Sequence, residues 1–257
     1  MGWSERQVVE SFHLIFLRAL AAKAEDKARI ALKGGCNLRF YFDSVRYSED
    51  IDFDVTTIAK DTLQNKVERL LQSPSISAPL KTKGIEISEV SAPKQTATTQ
   101  RWKLGLRAAG IGVPLRTKLE FSRRDAPAKA GETEFARVSP EILRPYGLPP
   151  FLATHYVTAA AITQKIHALA ARTEPQARDL FDLNLLFARS EAAKLKLTAA
   201  QKSWLAPAIE HAIALSFDEY RAKVVAYLEP AHAELYRERD SWDISQAAVV
   251  AHLEALQ

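Results

Sequence analysis

Residues 50–55 read Asp-Ile-Asp-Phe-Asp-Val. Side chains of a strand alternate between its faces, so Asp50, Asp52 and Asp54 share one face while Ile51, Phe53 and Val55 take the core. Aspartate is disfavoured in strands, and like charges on one face repel. At ~4 Å and an effective dielectric near 20, two carboxylates raise each other's energy by about 4 kcal/mol. A surface strand with solvated carboxylates is one account of the pattern. A hard divalent cation is the other. Mg²⁺ takes oxygen ligands and is held by one or two carboxylates plus substrate phosphates. A pair of such ions can clamp both the attacking and the leaving oxygen of an in-line displacement.

A two-ion site calls for a third carboxylate on a neighbouring strand. In residues 114–124, Leu115, Thr117, Leu119 and Phe121 alternate with Arg116, Lys118, Glu120 and Ser122. Glu120 is the one acid on that polar face. It is either the third metal ligand or a salt-bridge partner of Lys118 or Arg101. The surrounding stretch, 101–124, holds seven basic residues against this single acid, whereas 208–257 hold nine acids and four bases. The basic stripe points to a polyanionic ligand on one face or to a solvated sheet face. Upstream, Gly34-Gly35 offers a backbone that a phosphate can approach closely, leading into a helix whose first N–H groups complete an anion site. A Gly pair alone is more often only a turn; followed by a short helix and the acidic strand it is far more specific.

The chain of 257 residues is long enough for a well-buried core in one or two domains. Its one cysteine, Cys36, excludes an internal disulfide and suits a reducing compartment. The apolar patch at 12–17 is too short and too interrupted by charge for a membrane span or a secretory signal, so an amphipathic helix over 4–23 and a cytoplasmic location are expected. Alternation and turn signals predict strands at 28–33, 50–55, 84–90, 99–107, 114–124 and 133–138. They also predict helices at 37–43 and 57–72, the second stopped by Ser-Pro-Ser. Ser139-Pro140 reads as a helix start and the Pro- and Gly-rich 145–150 as a linker. Beyond it, helices are expected at 154–172, 176–189, 198–215, 218–228 and 244–256. The fold class is therefore α+β: a mixed-sheet domain over 1–144 and an all-helical domain over 151–257.

The stretch GGCNLRFYFDSVRYSEDIDF resembles the signature of the AbiEii-like nucleotidyltransferases, the toxin half of type IV toxin–antitoxin (abortive infection) pairs within the polymerase-β nucleotidyltransferase superfamily. The matching residues are Gly34, Gly35, Arg46, Ser48, Asp50, Ile51, Asp52 and Phe53. Cys36 departs from the usual Thr or Ser, and a thiol is a weaker hydrogen-bond donor than a hydroxyl. The stretch ITQKIHALAARTEPQARDLFDLNLLF is similar to the family's later motif, at Lys165, Arg172, Arg178, Asp179 and Asp182. The resemblance implies a polymerase-β-like domain followed by a helical one, with an active cleft between them. It implies Mg²⁺ (or Mn²⁺) on Asp50 and Asp52, with Glu120 the third ligand offered by the strand pattern, and an NTP whose phosphates meet Gly34, Gly35, the Cys36 position, Arg46, Ser48 and Lys165. Asp179 would help complete the site, with Arg178 and Asp182 positioning. Without the resemblance, Lys165, Arg172, Asp179 and Asp182 read as an ion network between two helices.

The implied reaction moves an NMP from an NTP to an acceptor, RNA such as a tRNA 3′ end, and the implied partner is a cognate antitoxin. Two alternatives are another acceptor, such as a protein hydroxyl or a small molecule, and a non-catalytic nucleotide-binding module. Of the remaining residues, His155, His167, His211 and His232 lack metal-ligand spacing and read as packing or surface histidines. Trp102, Trp204 and Trp242 read as core, with base stacking the alternative for Trp102. Asp54 is a spare carboxylate, and Asp43 a turn residue.

Overall fold

The alternation in the sequence becomes one sheet. The computed structural model describes residues 2–257, the Ala24 side chain excepted. Seven strands are formed: β1 (Ile30–Lys33), β2 (Ile51–Val55), β3 (Ile85–Gln95), β4 (Thr99–Ala108), β5 (Leu115–Arg123), β6 (Thr133–Arg137) and β7 (Leu152–Tyr156). Their spatial order is β3-β4-β5-β2-β1-β7-β6. The sheet is mixed, as expected: β2 runs parallel to β5 and β1 to β7, and the other neighbours are antiparallel.

Helices α1 (Glu5–Ala21), α2 (Gly34–Tyr41), α3 (Lys60–Leu71), α4 (Pro74–Lys81) and the short α5 (Pro140–Leu143) complete this first unit. A capping box between Ser4 and Gln7 starts α1. Ile51, Phe53 and Val55 are buried, and Phe53 stacks on Phe121 with centroids 4.8 Å apart. Phe16 of α1 closes on Phe53 at 6.2 Å, and Trp102 meets Phe121 edge-on at 5.8 Å. Trp102 is wholly buried, so its role is core packing and it offers no face to a base. Under this core Glu10 binds Arg39 at 2.6 Å and accepts from the Tyr146 hydroxyl at 2.7 Å.

Three expectations change, two of them in this unit. The Ser-Pro-Ser stretch ends α3 but also starts α4, because a proline at the first helical position favours initiation as much as it blocks continuation. The stretch after 145–150 is not yet helical. Residues 152–156 form β7, which pairs with β1 and β6 and is buried at Ala153, His155 and Tyr156, so the sheet unit runs through Tyr156.

The second unit comprises Val157–Gln257 with Ser44–Arg46. Its helices are α6 (Thr158–Ala171), α7 (Ala177–Phe187), α8 (Ala199–Lys202), α9 (Leu205–Ala214), α10 (Phe217–Lys223), α11 (Pro230–Ala233) and α12 (Arg239–Ala255). The single helix expected over 198–215 is thus broken in two. Trp242 packs on Tyr220 at 4.8 Å in its core. Arg46 bridges Leu228, and the Glu229 amide donates to the Val45 carbonyl at 2.9 Å. Among the described residues no helix is long and apolar enough to cross a membrane.

Candidate active site

The register of the sheet sets the acidic residues side by side. Asp52 of β2 lies opposite Glu120 of β5, Glu120 opposite Arg101 of β4, and Asp52 opposite Lys33 of β1. Cross-strand partners point the same way, so one row across four strands reads Arg101, Glu120, Asp52, Lys33. Asp50, one residue before β2, extends the acidic edge.

Each outer carboxylate is engaged by a cation. Asp50 Oδ2 is 2.8 Å from Lys118 Nζ, and Glu120 Oε2 is 2.6 Å from Arg101 Nη2. The salt bridge offered by the sequence as the alternative role of Glu120 is therefore formed. Burial raises the Asp52 pKa; Lys33 opposes this, while Asp50 and Glu120 add to it. Among the described residues no three acidic, histidine or cysteine side chains converge as a preformed ion cage, because Asp50 and Glu120 face Lys118 and Arg101. The donor chemistry nevertheless fits a hard divalent ion: Asp50 and Glu120 stand close enough to Asp52 for their charges to destabilise its carboxylate.

Gly34 touches this row. Its φ is +69°, and a Cβ there would lie 2.7 Å from Asp52 Oδ2. Gly34 thus combines the left-handed backbone that glycine tolerates with the space the carboxylate occupies. Gly34→Ala is expected to destabilise the fold by ~1–3 kcal/mol and to displace Asp52. Thermal melting checks the first effect, and loss of the divalent-ion response of the melting temperature checks the second. Next to Gly34, no side chain caps the first turn of α2, which leaves its leading N–H groups free of an N-cap.

Cys36 does not face outward. The buried thiol donates to the Asp50 carbonyl at 3.3 Å and lies 3.5 Å from His13 Nδ1, so its side chain braces the acidic strand rather than contacting a phosphate. Burial raises its pKa, keeping the thiol neutral. Ser48, expected at the phosphates, donates to the same Asp50 carbonyl at 2.8 Å. His13, within the apolar patch at 12–17, sits behind this brace. Its Nε2 is 2.7 Å from the Thr117 hydroxyl, which itself donates to the Glu49 carbonyl at 2.7 Å. The hydroxyl proton being so used, His13 Nε2–H is the donor to Thr117. Burial pushes the His13 pKa down to about 3, so the ring stays neutral in this role.

Lys33 is the other residue that sequence reasoning missed. Its ammonium binds Asp54 at 2.7 Å and donates to Ser122 at 2.9 Å. Asp54 also takes Arg124 at 2.9 Å and the Tyr156 hydroxyl at 2.8 Å. The spare carboxylate is thus a structural anchor that fixes a lysine beside Asp52. Lys33 adjoins Gly34 in the chain, but its register against Asp52 becomes visible only once β1 and β2 pair.

In the helical unit the later motif forms a buried ion cluster. Lys165 lies 2.8 Å from Asp179 and 2.6 Å from Asp182; Arg46 binds both Asp182 oxygens at 3.0 and 2.9 Å; Arg172 reaches Asp179 at 2.9 Å. Lys165, Arg46 and Asp179, expected at the nucleotide, are engaged with one another's partners in the manner of the helix-pair network. The physical reason is burial: with both aspartates wholly inside, every charge there must be paired. Burial alone would raise the Asp179 pKa, but Lys165 and Arg172 outweigh it and hold the group below the usual carboxylate range. Burial likewise opposes the Lys165 charge, and Asp179 and Asp182 reverse that to raise its pKa.

The remaining histidines pack. His155 stacks on Tyr41 at 3.5 Å, His167 meets Trp204 edge-on at 4.5 Å, and His211 Nδ1 is 2.7 Å from the Leu169 carbonyl. His232 lies 3.1 Å from Glu229. Asp43 has φ +59°, the turn conformation expected of it.

With this geometry established, comparison with known proteins gives a consistent picture. The profile of the family described as nucleotidyl transferase AbiEii toxin, type IV TA system, matches residues 15–240. The fold is similar to that of JHP933 from Helicobacter pylori, with TM-score 0.60 and 20% identity over 99% of this chain and 96% of that one. It is also similar to MenT4, a nucleotidyltransferase toxin from Mycobacterium tuberculosis H37Rv, with TM-score 0.58 and 18% identity over 98% and 94% of the two chains. No curated protein matches the sequence. From residue 15 to residue 240 this chain belongs to the AbiEii nucleotidyltransferase toxin family of type IV toxin–antitoxin systems.

Proposed function

We propose that the protein transfers an NMP from an NTP to an RNA acceptor, such as a tRNA 3′ end, in a reaction that depends on Mg²⁺ or Mn²⁺. The observation that carries this reading is the in-register pair Asp52 and Glu120, flanked by Asp50, with Gly34 closed against Asp52. Asp50, Asp52 and Glu120 would hold the ions. Bound there, a divalent ion would lower the acceptor hydroxyl's pKa and neutralise phosphate charge, so no histidine base is needed.

The chain's own groups do the rest. Gly34, Gly35 and the uncapped start of α2 present N–H groups to the phosphates. Lys33, pinned by Asp54 and Ser122, adds a fixed positive charge next to Asp52. Ser48, Cys36 and Thr117 hold the Glu49 and Asp50 carbonyls and so fix the angle at which the carboxylates enter the site. The acceptor hydroxyl gives its proton to solvent water, and its oxygen forms a bond to the α-phosphorus while the bond from that phosphorus to the oxygen bridging to the β-phosphate breaks. That oxygen leaves with the electron pair as pyrophosphate.

The family makes a cognate antitoxin the expected partner and the cytoplasm the expected location. Incubation with each labelled NTP and total RNA, followed by separation of RNA, protein and small molecules, tests the proposal. Label in RNA from one or more NTPs, dependent on Mg²⁺ or Mn²⁺, is expected. Label on the protein itself or on a small molecule would move the acceptor, and no incorporation at all would reject transfer.

A further inference from the structure

The two outer carboxylates and the two cations that hold them stand in competition with a divalent ion, and this has a consequence for the acceptor that rests on the transferase reading above. Asp50 is held by Lys118 at 2.8 Å and Glu120 by Arg101 at 2.6 Å. An ion that takes these oxygens displaces both cations from them.

Lys118 stands in register beside Lys103. The Lys103 side chain is exposed and makes no ion pair or hydrogen bond among the described residues. Lys103 and Lys118, with Ser88, Ser91 and Asp50, line an open groove of about 940 Å³ over β3, β4 and β5. In the metal-free protein this groove is electrically balanced, because Glu49, Asp50 and Glu89 offset Lys103, Arg116 and Lys118. It therefore has little attraction for a polyanion as it stands. Neutralising Asp50 and freeing Lys118 leaves an uncompensated positive row.

We propose that Lys118 is an acceptor-binding residue masked by the metal-ligating Asp50, so that the groove takes a single-stranded RNA end only after a divalent ion has drawn Asp50 away from it. The occupant follows from shape and charge. Lys103 and Lys118 sit on adjacent strands, ~4.8 Å apart at the backbone, and contact one phosphate chain rather than a broad surface. Val90, half exposed in the groove wall, gives a base an apolar surface to lie on. Asp50 is part of the lining, so on the transferase reading the chain brings its free terminal hydroxyl to that carboxylate. An acidic protein segment meets the charge requirement and lacks that terminus.

The test is anisotropy of a short, unstructured, 5′-labelled oligoribonucleotide with a free 3′ hydroxyl, titrated with the full chain in EDTA or in Mg²⁺ at matched ionic strength. Mg²⁺ is expected to tighten wild-type binding by about tenfold, within the usual range for coupled sites. Lys118→Gln should abolish that gain, whereas in EDTA it should lower the already weak affinity only slightly, because it uncovers the Asp50 carboxylate there. Lys103→Glu should weaken binding in both conditions. Lys118→Arg keeps the charge and should restore the gain, and it serves as the control if Lys118→Gln melts early.

Weaker binding in Mg²⁺ for wild type and Lys118→Gln alike is simple counter-ion competition and overturns the proposal. So does an acidic peptide that binds with the same Mg²⁺-dependent gain while the RNA shows none. Tightening by Mg²⁺ without NMP transfer from any NTP would leave masking intact and defeat the transferase reading. Transfer whose acceptor KM is untouched by Lys118→Gln would do the reverse.

Discussion

Asp52→Asn is expected to raise the melting temperature of the metal-free protein while removing NMP transfer. The two effects have one origin. Burial, Asp50 and Glu120 all disfavour the Asp52 carboxylate, and Lys33 only partly offsets them, so its pKa lies above that of an aspartate in the unfolded chain. A carboxyl with a raised folded pKa binds more protons in the native state than in the unfolded one. Stability from this group therefore falls as pH rises from the unfolded value of ~3.9 through the raised folded value. Above the raised folded value the wild type carries this loss in full, and asparagine removes it. For a unit of this size each kcal/mol corresponds to a shift of about 2–4 °C. The wild-type gain on adding Mg²⁺ and NTP, which follows from mass action on the native state, should disappear in the variant. Activity should fall by ~100-fold or more, since changing even an outer partner of a metal ligand typically lowers function 10–100-fold. Melting curves at several pH values, with and without Mg²⁺ and NTP, check the first part, and labelled-NTP incorporation the second. An Asp52→Asn protein that melts like the wild type in both conditions and still incorporates NMP would show that Asp52 belongs to no ion site.

How far the sequence carries the structure depends on what each residue's role rests upon. The faces of β2 and β5 follow from alternation alone: Ile51, Phe53, Leu119 and Phe121 are buried where period two puts them. The polar faces follow with them, which is why Asp52 and Glu120 could be matched before the strands were seen to pair. The role of Lys33 depends on β1 lying against β2, and that of His13 on α1 crossing beneath Thr117. Both are long-range facts with no local signal. Cys36 illustrates the same limit. Its position next to Gly35 suggested a phosphate contact, yet the turn of α2 directs the thiol inward to Asp50 and His13. In the helical unit, spacing showed that Asp179 and Asp182 share a face. It did not show that Arg46, more than a hundred residues upstream in sequence, supplies two of the hydrogen bonds to Asp182. The strand β7 was missed because its five residues lie between a proline-rich turn and a long helix, and only pairing with β1 and β6 holds them extended.

Asp182→Ala is expected to be among the most destabilising single changes in the helical unit. Asp182 is wholly buried and accepts from Arg46 at 2.9 and 3.0 Å while lying 2.6 Å from Lys165. The cluster balances three cations, Arg46, Lys165 and Arg172, against Asp179 and Asp182. Removing one carboxylate leaves a single anion for three buried or half-buried cations, and breaking a buried pair from one side lowers stability by ~3–5 kcal/mol. Replacing the partners together removes the stranded charge, so Asp182→Leu combined with Lys165→Met should recover part of the loss. The same cluster sets a pH window. Lys165 and Arg172 hold the Asp179 pKa below its unfolded value, so its contribution is complete above ~4 and is lost as pH falls through the lowered folded value. The raised Lys165 pKa contributes below its unfolded value of ~10.4 and is lost as pH rises through the folded one. Denaturant unfolding of wild type and variants between these limits measures all three quantities. If Asp182→Ala leaves the midpoint within ~0.5 kcal/mol of wild type, the range of ordinary surface changes, the cluster is not what anchors Ser44–Arg46 to the helices.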